Sequence, residues 1–143
     1  MLLLPIKPVN ARALCQYACA LLGDQFTSDQ AITLLAAIGY QETGFRARAQ
    51  VGGPALGLFS MQENAVADLL AASSTGAHLA ACADACVAPP TAAGIYAALR
   101  EDDILAAQAA RLLLWAEPSP LPDSADAGWA YYLRVWRPGK PRP

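Results

Sequence analysis

The stretch from Ala31 to Gln62, AITLLAAIGYQETGFRARAQVGGPALGLFSMQ, constrains this chain more than any other. Leu34, Ile38 and Glu42 recur every four residues, so on a helix they share one face, and Glu42 continues a stripe that the two aliphatic residues bury. A glycine-rich segment follows at once. Gly44, Gly52, Gly53, Pro54 and Gly57 break regular structure, which makes 43–56 a loop with room for a short hairpin, able to approach a ligand closely. A carboxylate is thereby carried to the edge of a core. Desolvation there disfavours the charged form, so the spacing predicts a raised pKa for Glu42, as a general acid near neutral pH requires.

The rest of the chain supports one all-α domain, residues 1–143. Val9 to Leu22 reads as a first helix with Asn10 as N-cap and Gly23 as its stop. Thr27 or Ser28 caps the second, with Asp29 at its positive end, and the helix runs to about Glu42. A third helix is predicted from Leu58 to about Leu70, then one short helix before Pro89 and Pro90. Thr91 opens another through Leu99, and Asp102 or Asp103 caps a longer one through Trp115. Pro118, Pro120 and Pro122 make a stiff linker, 116–128, to a short last helix, Ala127 to Trp136.

Composition excludes several classes. With 55% apolar residues, 15% charged and a net charge of -2, the chain lacks the basic surplus of a nucleic-acid binder. The opening MLLLPIKPVN has no basic leader, is interrupted by Pro5 and Pro8, and is too short for a signal core or a membrane span. The cysteines form two pairs, Cys15/Cys19 and Cys82/Cys86, each on one helix face. Buried inert thiols, a disulfide between the pairs and a zinc site compete as explanations. The single histidine, His78, reads as a loop or helix-surface residue, which discounts a metal-hydrolase or Ser-His mechanism.

Between Glu42 and Glu63 there is no other carboxylate. Ordinary glycoside hydrolysis uses two. One suffices if it first protonates the glycosidic oxygen and then, as carboxylate, takes a proton from a sugar hydroxyl or water. Glu63 and Asp68 are the nearest acidic residues that the fold could bring back.

Gln41-Glu42-Thr43-Gly44-Phe45, with Gly57-Leu58-Phe59 fifteen residues beyond the glutamate, resembles the QES-x-F…G-x-x-GLMQ signature of the lytic transglycosylases, in the lysozyme-like superfamily. RARAQVGGPALGLF and the tail Trp136-Arg137-Pro138-Gly139-Lys140-Pro141 are also similar to short phage and prophage proteins with a lysozyme-like core. The resemblance implies a lysozyme-like fold with a glycan groove, cleavage of the N-acetylmuramic acid to N-acetylglucosamine bond of peptidoglycan, and no cofactor or metal. Its catalytic glutamate falls on Glu42 and its GLM glycine on Gly57. The glutamine after GLM falls on Ser60, with Gln62 one step on. The later Ala-Tyr-Asn-Ala-Gly motif is matched by Ala106 to Arg111 without the tyrosine or asparagine, leaving Gln108 and Arg111 as donors toward acetamido and carboxylate groups.

The candidate site is therefore Glu42 as the catalytic residue, with Tyr40, Gly57, Leu58, Phe59, Ser60, Gln62, Gln108 and Arg111 around the glycan. Tyr40 and Phe45 flank the acid and can stack on sugar, core packing being the alternative for Phe45. Tyr96, Trp129, Tyr131, Tyr132 and Trp136 form a late aromatic cluster, about half of it expected in the core. Arg46 and Arg48 read as solvated, with anionic peptidoglycan as their functional alternative. Partners are peptidoglycan strands and phage virion or tail proteins, and the place of action is the virion, or the host cytoplasm before delivery to the wall. The rival class is a virion module that keeps the fold to dock on glycan but has lost turnover.

Overall fold

The computed structural model describes residues 4–136; the tail resemblance in Arg137 to Pro141 lies outside them. The described residues are helical, with no strand among them. Helix α1 spans Pro8–Leu22, α2 Asp29–Thr43, α3 Glu63–Ala71, α4 Gly76–Ala85, α5 Ala92–Ala98, α6 Asp103–Ala116 and α7 Ala125–Trp136, with one 3₁₀ turn at Asp24–Phe26. None is long and apolar enough to cross a membrane.

Polar side chains set several of these boundaries. The Ser28 hydroxyl accepts from Ala31 N at 3.1 Å, Thr91 from Gly94 N at 3.0 Å and the Asp102 carboxylate from Leu105 N at 3.0 Å, each satisfying an amide the helix leaves unpaired. α1 starts differently. Its cap is Lys7, which makes no side-chain bond, and Pro8 fixes the first turn, so Asn10 lies inside the helix rather than capping it.

α6 is the centre of the molecule, with α1 along one side and α2, α3 and α4 also against it. Every residue from Leu105 to Leu112 is buried, including Gln108 and Arg111. Four of those eight are alanines, which let the α1 backbone come close, and α1 answers with Ala11, Cys15, Ala18 and Cys19. Complete burial of a leucine such as Leu112 contributes roughly 1.5–3 kcal/mol. A single hydrophobic cluster runs from Ala11 through to Tyr132.

The third predicted helix begins five residues late, which corrects the expectation from Leu58. Residues 49–61 instead fold back through two isolated antiparallel bridges, Ala49 to Leu56 and Leu56 to Met61, and α3 starts only at Glu63. Gly57 explains the break. Its φ is +81°, left-handed, and a Cβ there would lie 3.0 Å from the Leu99 carbonyl oxygen. The 43–56 loop thus contains the short hairpin-like return that its glycines allow.

Candidate active site

Glu42 sits in the last turn of α2, half-buried. The helix stops one residue later. Gly44 takes the left-handed conformation at φ 64°, and its N–H donates back to the Gly39 and Tyr40 carbonyls. Phe45, also left-handed at φ 56°, turns its ring into the space over Gly39, where a Cβ would come within 2.3 Å of it. That close fit buries Phe45 in the core, edge-on to Phe59 with ring centres 5.8 Å apart, and leaves it no exposed face for a sugar. Tyr40, edge-on to Phe45 at 5.0 Å, is 42% exposed and keeps a surface face.

Thr43 locks this helix end to the loop. Its hydroxyl donates to the Leu58 carbonyl at 2.7 Å and accepts from Phe45 N at 3.2 Å, so the segment carrying Gly57 is held against the turn that carries Glu42. The close pairing of these two segments, legible as a spacing in the sequence, is a physical contact in the fold.

Tyr132, on α7, donates its phenolic hydrogen to Oε2 of Glu42 across ninety residues of sequence. One turn further along α7, Trp136 Nε1 donates to the Phe59 carbonyl at 2.9 Å. α7 therefore straps both parts of the site, the acid and the Gly57 segment. On one side of the strap, α2 and α7 enclose a groove of about 680 Å³, lined by Thr33, Leu34, Ala37, Gln41, Trp129 and Tyr132 among others. On the other lies a groove of about 520 Å³, where Ser60, Gln62, Asp68, Arg134 and Trp136 meet. The sequence marked an aromatic cluster here, but nothing in it aimed Tyr132 at Glu42.

The remaining expected site residues divide. Ser60 and Gln62 reach the second groove, and Asp68 lies there with them. Gly57, Leu58 and Phe59 do not line a surface: all three are buried, and Leu58 and Phe59 meet their neighbours through backbone carbonyls, a correction to their expected place around the glycan. Gln108 and Arg111 are corrected too. They are 4% and 3% exposed, and Arg111 directs Nε to the Phe26 carbonyl at 2.7 Å with its guanidinium carbon 5.8 Å from the ring centres of both Phe26 and Trp115. Burial lowers the Arg111 pKa, partly countered by Cys19. An arginine held this way ties α6 to the Asp24–Phe26 turn and cannot reach a glycan.

Arg48 is also not solvated. It makes a two-pronged ion pair with Asp103, both contacts at 2.8 Å, joining the glycine-rich loop to the start of α6, while Arg46 is exposed. Of the late aromatics, Tyr131 and Tyr132 are buried, whereas Tyr96 is half-exposed and donates to the Pro54 carbonyl. His78 lies on α4, edge-on to Phe26 at 5.0 Å. All four cysteines are free thiols, and Cys15, Cys19 and Cys82 are buried. Burial pushes Cys15 up to about 12 and Cys82 and Cys86 up to about 11, which makes them poor nucleophiles. Among the described residues no group of three histidines, cysteines or carboxylates is placed to hold a metal ion.

No protein-family description, no curated protein and no solved structure matches this chain.

Proposed function

We propose that this protein cleaves the glycosidic bond between N-acetylmuramic acid and N-acetylglucosamine in peptidoglycan, as a small lysozyme-like enzyme of lytic transglycosylase type with one catalytic carboxyl group. The observation that carries the reading is Glu42: a carboxyl at a helix end, locked by Thr43 to the Gly57 segment and held at Oε2 by the phenol of Tyr132.

That arrangement suits one residue acting twice. Protonated Glu42 gives its proton to the glycosidic oxygen as the bond to the anomeric carbon breaks. The resulting carboxylate then takes the proton of the muramic C6 hydroxyl as that oxygen closes on the anomeric carbon, or of a water that attacks it. Tyr132 orients the carboxyl through its hydrogen bond to Oε2. Gln41 and Trp129 on one side, and Ser60 and Gln62 on the other, provide amide, hydroxyl and aromatic surfaces suited to sugars. No cofactor enters this chemistry. The setting that fits the resemblance is a phage virion or tail, with delivery to the host wall.

A second reading is favoured by one group of observations: Ser60 stands where the resemblance has glutamine, and Gln108 and Arg111 are buried. On that reading the chain is a virion module that binds glycan without turning it over. Digestion of purified peptidoglycan by the wild type and by Glu42→Gln, with mass spectrometry of the released muropeptides, separates the two. Anhydro products from the wild type alone establish the transglycosylase, and products heavier by one water establish a hydrolase. Glycan-strand binding by both proteins with no product from either establishes the module.

A further inference from the structure

α7 is the wall between the two grooves. Gly128, Trp129 and Tyr132 border the one along α2, Arg134, Val135 and Trp136 border the one along α3, and no lining residue is common to both. Glu42 lines neither. Gln41 beside it reaches the first groove, and the bond from Thr43 to the Leu58 carbonyl ties it to the segment whose Ser60 reaches the second. The acid therefore lies beneath α7, where the two grooves would meet. Cutting a strand internally requires sugars on both sides of the acid, and α7 in this position divides that path.

The hold on α7 suits a part that moves. No pair of helices that packs closely includes it, and of its residues only Tyr131 and Tyr132 are buried. The linker before it, 117–124, carries Pro118, Pro120 and Pro122, which cannot donate to a neighbouring backbone. Its side-chain bonds fall into two sets. Tyr131 donates to the Leu114 carbonyl at 3.2 Å and Arg134 to the Ser119 hydroxyl at 2.9 Å, both beside the linker, where they serve a pivot. Tyr132 on Glu42 and Trp136 on the Phe59 carbonyl latch the helix over the site. Exchanging such bonds for bonds to water costs little net.

We propose that α7 is a lid: it lifts about the proline-rich linker so that a glycan strand can lie from one groove to the other across Glu42, and it closes again to return Tyr132 to Oε2. The lid deepens the peptidoglycan reading and rests on it for the identity of the strand. The Trp136 indole N–H is sealed against the Phe59 carbonyl while α7 is down, so its hydrogen exchange, followed by NMR on the isotope-labelled full chain, reports lifting. It should exchange about tenfold or more faster than the buried amides from Leu105 to Leu112, which open only when the body unfolds. Tyr132→Phe removes the other latch and should speed the indole roughly fivefold further, with those α6 amides still protected. A Trp136 indole that exchanges at the rate of the α6 amides, or that Tyr132→Phe leaves unmoved, would overturn the lid. Peptide-free peptidoglycan strands added to Glu42→Gln should shift the indole signals of Trp129 and Trp136 together, one in each groove. A shift of one alone would overturn the crossing. Strands that shift neither would overturn the peptidoglycan reading together with the crossing, and the Trp136 exchange would still decide whether α7 lifts.

Discussion

α6 and α7 are both helices of the same chain, yet they are held in opposite ways. α6 is buried along two full turns by apolar packing against α1, and two of its polar side chains are tied off, Arg111 on the Phe26 carbonyl and Asp103 on Arg48. α7 is a strap. It follows a proline-rich linker, has only Tyr131 and Tyr132 buried among its residues, and is fixed by hydrogen bonds from Tyr131 to the Leu114 carbonyl, from Tyr132 to Glu42 and from Trp136 to the Phe59 carbonyl. The contrast separates two kinds of hold: α6 carries the fold, while α7 closes over Glu42 and the Gly57 segment.

Substitutions should therefore split into two classes, and the largest effect on stability belongs to α6. Leu112→Ala should destabilise the protein by about 2–5 kcal/mol in urea unfolding, since it removes a fully buried side chain from a packed seam. A loss below 1 kcal/mol would break the view of α6 as the core. Next comes Arg48→Met. It leaves the partly buried Asp103 carboxylate without its two-pronged partner and should lower stability by about 1.5–3 kcal/mol, with less effect in high salt than a surface pair would show.

The thiols of the α1 seam give a pH signature. Burial first, and then the neighbouring Cys19, raise Cys15 from 9.0 to about 12, so the unfolded chain releases this proton while the folded protein still holds it. Stability from this group is complete below about pH 9 and falls as pH rises toward 12, by up to ~1.4 kcal/mol per pH unit. Cys15→Ala should flatten that alkaline slope in unfolding curves recorded at pH 8 and pH 10. An unchanged slope would mean that Cys15 is not the group responsible.

On the proposed function α7 should answer the other way, with small changes in stability and large ones in activity. Tyr132→Phe should cost about 1 kcal/mol or less, yet lower the rate of peptidoglycan cleavage, because the ring stays and the hydroxyl that holds Glu42 Oε2 is lost. A rate equal to that of the wild type would reduce Tyr132 to a packing residue. Trp136→Phe should have the smallest stability effect, under about 1 kcal/mol, while lowering turnover by loosening the strap over the Gly57 segment.

The sequence alone determined the all-α class, because its helix signals are local. Ser28, Thr91 and Asp102 cap the helices they precede, Gly23 ends α1, and the apolar spacing of Leu34 and Ile38 turns α2 inward. Glu42 and Gly57 were legible as a pair because their spacing is a short-range property. The start of α3 was not, since the break at Gly57 depends on the Leu99 carbonyl packing against it from a distant helix. Gln108, Arg111 and Arg48 were misplaced for the same reason. Their polarity suggested a surface, and only the packing of α6 against α1 and against the glycine-rich loop sends them inward, Arg111 and Arg48 to partners. The Tyr132 to Glu42 contact is the furthest from sequence. Two residues on separate helices carry no local mark of each other, and their meeting is decided by how α7 folds back over the end of α2.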